Sequence, residues 1–105
     1  MHNKFAVIDG VWVWTGSWNM TENGTYRNNN NAVLVASPAL AGNYAAEFEE
    51  MFSGKFGPTS PANTPNPHIS ITTGGDEGQT RQVEIENYFA PEDQASAQII
   101  AEIQG

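Results

Sequence analysis

The stretch His2–Asn19, HNKFAVIDGVWVWTGSWN, constrains the fold of this chain more than any other. Lys4–Ile8 and Val11–Thr15 are apolar runs rich in β-branched and aromatic residues. The Asp9-Gly10 pair between them is a strong signal for a short hairpin. Side chains alternate along a strand, so His2 and Lys4 share a face. An antiparallel return brings Thr15 level with them, and Gly16-Ser17-Trp18-Asn19 then lands alongside. One small pocket should collect an imidazole, an ammonium, a hydroxyl, a carboxamide and loop N–H groups. A set rich in donors and without a carboxylate suits an anion, phosphate best.

The order H-x-K, four residues, D, six residues, G-S-x-N resembles the signature of the phospholipase D superfamily. His2, Lys4, Asp9, Gly16, Ser17 and Asn19 fill its defining positions. The resemblance implies an α/β fold, a partial phospholipase D-like lobe with a mixed β-sheet flanked by helices. It implies metal-independent hydrolysis of a phosphodiester, or transfer of its phosphatidyl or phosphoryl group, with no cofactor and no metal ligands. His2 would attack phosphorus and carry a phosphohistidine, or protonate the leaving oxygen. Lys4 and Asn19 would hold the phosphoryl oxygens with Ser17 in support. Asp9 would complete the catalytic set in a structural or orienting part, and Gly16 would stand behind it. A positioned imidazole can act as nucleophile or acid near neutral pH. Acid–base help contributes roughly 10²–10⁴-fold, and cationic and amide donors stabilise the developing charge.

The family often has an acidic residue just before the next strand, paired with the catalytic histidine. That position here is Asn30, whose amide can orient an imidazole but stabilises its cation less; Asp9 or Glu22 could take the part instead. Two facing motifs make such a site, and this chain carries one. His68, in NPNPHIS, lacks a lysine two residues on and is read as a surface or edge residue. The second motif is expected from the remainder of a longer chain or from a homodimer partner. Met1 directly precedes the motif histidine, so it reads as internal to a longer protein.

The net charge of −8, with only four basic residues, offers no basic footprint for free nucleic acid. The expected partner is a phosphodiester substrate, phospholipid or nucleic acid. Without cysteine there is neither disulfide nor thiolate metal site. No apolar run approaches the roughly 20 residues of a transmembrane helix.

Beyond the motif, Met20–Asn31 is polar and reads as a loop. Ala32–Ala36 reads as a buried strand. Ser37-Pro38 signals a helix start, with the helix over about 39–52 and Leu40, Tyr44, Phe48 and Met51 as its apolar stripe. That stripe is core packing sooner than a ligand box. Residues 57–81, with Pro58, Pro61, Pro65 and Pro67, read as a linker, with a possible short strand at His68–Ile71. QVEIENYF at 82–89 alternates as a half-exposed strand. Ala90-Pro91-Glu92-Asp93 then opens a helix with Ile99, Ile100 and Ile103 on its apolar face. VEIENYFAPED resembles the opening of a phospholipase D-like lobe. The expected organisation is therefore 1–56 as the end of one lobe, 57–81 as linker, and 82–105 as the beginning of a second. The competing readings are a nuclease of the same superfamily, which shares the chemistry, and a non-catalytic phosphate-binding module, which the amide at Asn30 permits and the filled signature opposes.

Overall fold

The computed structural model describes residues 2–57, 60–74 and 78–105. Met1 and the expected linker residues 58–59 and 75–77 lie outside the described residues. The chain runs β1 (Phe5–Ile8), β2 (Trp12–Gly16), α1 (Glu22–Tyr26), β3 (Ala32–Ala36), α2 (Pro38–Phe52), β4 (His68–Gly74), β5 (Thr80–Glu86) and α3 (Ala95–Gln104). The fold class is α/β, as expected. Strands β1-β2-β3 form one sheet and β4-β5 a second, with every pairing antiparallel.

The first hairpin forms where the Asp-Gly pair places it. Asp9 (φ 53°) and Gly10 (φ 65°) both adopt left-handed backbone, and the Val11 N–H donates to the Ile8 carbonyl at 3.1 Å. Two left-handed residues match the natural twist of a hairpin. Pairing of Ile8 with Trp12 leaves Val11 in the connection instead of the strand. Its carbonyl accepts from the Ser37 N–H at 2.8 Å, which ties the hairpin to the start of α2. There the Ser37 hydroxyl caps the helix by accepting from the Leu40 N–H, with Pro38 at the first position.

Helix α2 covers one face of the first sheet. Val13, Leu40, Ala41 and Ile69 form the buried core, with Val7, Val35, Tyr44, Ile71 and Ile85 packed around it. Ile69, Ile71 and Ile85 come from the second hairpin, so both hairpins share one core. Each fully buried large aliphatic side chain contributes about 1.5–3 kcal/mol. The opposite face of the sheet presents Ile8, Trp12 and Leu34 to solvent.

Four features depart from the sequence reading, the first being that β3, read as a buried strand, is exposed along most of its length. Within the expected loop at 20–31, the Thr21 hydroxyl accepts from the Gly24 N–H and caps the short helix α1. A single capped turn has no hydrophobic period to announce it. The expected linker contains the whole of β4, seven residues long, paired with β5. The stripe on α2 is rotated: Leu40, Ala41, Asn43 and Glu47 are buried, while Phe48 is half exposed and stacks on Phe52. The cause is packing on two sides. The sheet takes Leu40 and Ala41, and the segment around Asn66 and Asn87 takes Asn43. Its carboxamide donates to the Asn66 carbonyl (2.7 Å) and Asn87 Oδ1 (2.9 Å) and accepts from the Asn66 N–H (2.9 Å). Every polar atom of this fully buried side chain is engaged.

Candidate active site

Residues 2–4 run directly into β1, and the expected pairing of His2 with Lys4 is present. Lys4 Nζ lies 3.1 Å from His2 Nδ1 and donates to the His2 carbonyl at 2.6 Å. An ammonium is only a donor, so Nδ1 is the acceptor and a neutral ring carries its proton on Nε2. Lys4 is held from behind as well. Its carbonyl accepts from the Gly16 N–H (3.4 Å) and the Thr15 hydroxyl (3.0 Å). The return of β2 thus brings Gly16 level with Lys4, as strand alternation requires.

Gly16 is glycine for a steric reason. A Cβ there would lie 2.2 Å from the Asn31 carbonyl oxygen and 2.7 Å from Ala32 Cα. The close approach lets Ser17 lock onto Asn31. The Ser17 N–H donates to the Asn31 carbonyl (2.9 Å), and its hydroxyl accepts from the Asn31 N–H (3.0 Å). Ser17 therefore closes the loop that carries Asn19. The Asn19 carboxamide is exposed and hydrogen-bonds to neither His2 nor Lys4 among the described residues.

Two residues lie away from the imidazole. Asp9 is in the hairpin turn, at the far end of β1 from His2. The four residues of β1, five steps in all, separate it from Lys4, about 16 Å at the usual rise. It shapes the turn and lies out of reach of His2 and Lys4. Asn30, expected to orient the imidazole, faces the loop instead. Its amide donates to the Gly24 and Asn28 carbonyls, and its Oδ1 accepts from the Ser17 hydroxyl at 3.4 Å. Glu22 is exposed in the first turn of α1.

His2 and Lys4 open onto two adjoining cavities that share Asn3 and Ala90 in their walls. One, of about 260 Å³, is lined by His2, Glu47, Met51, Lys55 and Glu92. The other, of about 280 Å³, is lined by Lys4, Phe5, Thr15, Tyr44 and Tyr88. Tyr44 is the floor of an aromatic stack, edge-on to both Phe5 (5.0 Å) and Phe89 (5.1 Å). Residues 88–92 therefore form the wall opposite the start of β1.

Glu47 accepts from the Asn3 carboxamide at 3.1 Å. Burial pushes its carboxyl above the ordinary 4.5, and the charges of Glu92, Glu50 and Asp93 push the same way, against the Asn3 hydrogen bond. Carboxylate oxygens of Glu47, Glu50 and Glu92 come within 4.8 Å of one another. Neither Glu47 nor residues 88–92 carry a sequence signal for this site. Contacts 44 residues apart are invisible to spacing.

Residues 1–52 match the family described as cardiolipin synthase, PLD-like domain. Through this half, the chain belongs to the phospholipase D superfamily. Among its relatives are mitochondrial cardiolipin hydrolases, 35% identical over 52 residues in Chlamydomonas reinhardtii and 40% identical over 52 residues in Xenopus tropicalis. Each match covers 50% of this chain but only 23% and 25% of the relative, so the chain spans about a quarter of their length. No solved structure matches.

Proposed function

We propose that this chain supplies one catalytic motif of a phospholipase D-like phosphodiesterase acting through a phosphohistidine. The observation that supports it most is the meeting of His2 and Lys4 at 3.1 Å beside two open cavities. A phosphoryl group attracts the ammonium that now holds Nδ1. As Lys4 moves onto the phosphoryl oxygens, the imidazole is released to exchange its tautomer through solvent and attack. The N–P bond forms, the ester P–O bond breaks, and the alcohol leaves with a proton. Water then cleaves the N–P bond and returns the histidine. Lys4 and Asn19 hold the phosphoryl oxygens, and Ser17 keeps the loop of Asn19 in place. The leaving-group proton comes from a second motif, in the remainder of a longer chain or in a homodimer partner. Residues 1–56 close one lobe and 82–105 open the next, so the 105 residues alone are inactive.

The named relatives favour a phospholipid phosphodiester as substrate. The acidic balance, −8 overall, also disfavours a nucleic acid. In the intact protein, His2→Ala should lower turnover of a phospholipid phosphodiester by at least about 10³-fold. EDTA should leave turnover intact. The acidic group of Glu47, Glu50 and Glu92 near His2 makes the chelator arm decisive, because loss of activity with EDTA would end the metal-free mechanism. A phosphodiester bound without turnover or adduct on His2 would instead favour the non-catalytic module.

A further inference from the structure

The wall facing Lys4 contains a polar cluster that the motif does not account for. Tyr88 lines the Lys4 cavity. Its hydroxyl donates to Glu86 Oε2 at 3.1 Å and lies 3.4 Å from His68 Nε2. His68 Nδ1 lies 3.7 Å from Glu86 Oε1, and its ring stands edge-on to that of Tyr88 at 6.2 Å. Pairing of His68 with Glu86 across β4 and β5 brings two of the three groups together. Tyr88 follows two residues on and carries the cluster to the cavity.

We propose that Tyr88 is a substrate-contacting residue of the Lys4 site, donating its hydroxyl hydrogen to a phosphoryl oxygen, with His68 and Glu86 as positioning residues. The inference rests on the reading of His2 and Lys4 as a phosphate site. A phosphoryl oxygen held by Lys4 is a strong acceptor within the same cavity and competes with Glu86 for the one hydroxyl hydrogen. The edge-on contact with His68 and the hydrogen bond to Glu86 restrict where the phenol can sit, so less freedom is lost on binding. The hydroxyl also keeps its proton. Desolvation, the hydrogen bond to Glu86 and the charges of Glu86, Glu102 and Asp93 all push its pKa above the ordinary 10.0. It therefore remains a donor at neutral pH, where phosphate is an anion.

The test is a titration of the 105-residue chain with inorganic phosphate, followed by NMR at Lys4 and Tyr88. Phosphate should shift both sets of signals in a saturable way. Tyr88→Phe keeps the ring and should weaken binding about ten- to a hundredfold, the worth of one hydrogen bond to a charged partner. His68→Ala should weaken it by less, and Tyr88→Phe/His68→Ala should be no weaker than Tyr88→Phe alone, because His68 acts through the hydroxyl. Phosphate binding that is lost in Lys4→Met but unchanged in Tyr88→Phe overturns the role of Tyr88 and leaves the phosphate site standing. Fully additive losses overturn the positioning role of His68. Absence of any phosphate response at His2 and Lys4 removes the underlying site itself.

Discussion

Glu47 shows how one side chain can be central to a site and invisible in a pattern. Placed off the apolar stripe by periodicity, it is 9% exposed because α2 is packed from two directions. Its raised pKa means that the folded chain holds the proton more tightly than the unfolded one. Below the ordinary carboxylate value both states are protonated, and the buried acid contributes its full stability. As pH rises through the raised value, the fold acquires a buried charge and that contribution is lost. Glu47→Gln keeps an acceptor for Asn3 and carries no charge. It should raise Tm at neutral pH by about 4 °C, the shift expected of roughly 1 kcal/mol in a domain this size. Near about pH 3 it should change Tm little. Equal shifts at both pH values would refute the charge account. His2 and Lys4, by contrast, were legible, because the two-residue period of a strand determines which side chains share a face.

Among the elements, the first hairpin was the most readable and α1 the least. Asp-Gly between apolar runs specifies a turn chemically, through two left-handed residues. Helix α1 depends on one hydroxyl cap and five residues, too short for any period. The glycines of the hairpin differ in kind. Gly10 needs only its left-handed backbone, and a Cβ there would meet nothing within 4 Å. Gly10→Ala should therefore cost about 1 kcal/mol. Gly16→Ala drives a Cβ into the backbone of Asn31 and Ala32, neither of which can swing aside. It should cost about 2–3 kcal/mol, in the range of overpacked sites. The Ser17 and Asn31 amides should lose hydrogen-exchange protection in the same variant. A Gly16→Ala protein as stable as Gly10→Ala, with both amides still protected, would contradict the steric account.

For the molecule as a whole, composition does not announce that the two hairpins share a core. The composition of 57–81 reads as linker because proline, threonine and glycine dominate it, yet β4 within it places Ile69 among Val13, Leu40 and Ala41. The polar counterpart of that contact is Asn43, whose amide latches α2 to Asn66 and Asn87. An asparagine in an amphipathic helix ordinarily reads as solvent-facing, so the latch could not be read from sequence. Asn43→Ala would leave the buried carboxamide of Asn87 short of a partner. It should cost about 1–3 kcal/mol in denaturant unfolding. Loosening should appear first as faster exchange in β4 and β5, and unchanged exchange there would show that the latch does not join the hairpins.

The loop that bears Asn19 also carries a tryptophan. Trp18 stands edge-on to Trp14 of β2 at 5.8 Å, and its indole N–H donates to the Thr25 hydroxyl at 3.3 Å. One ring belongs to the rigid strand and the other to the segment between Ser17 and Asn19. Two indoles at this spacing couple their electronic transitions, so the pair is a native optical gauge of loop position, built into the chain without any added dye.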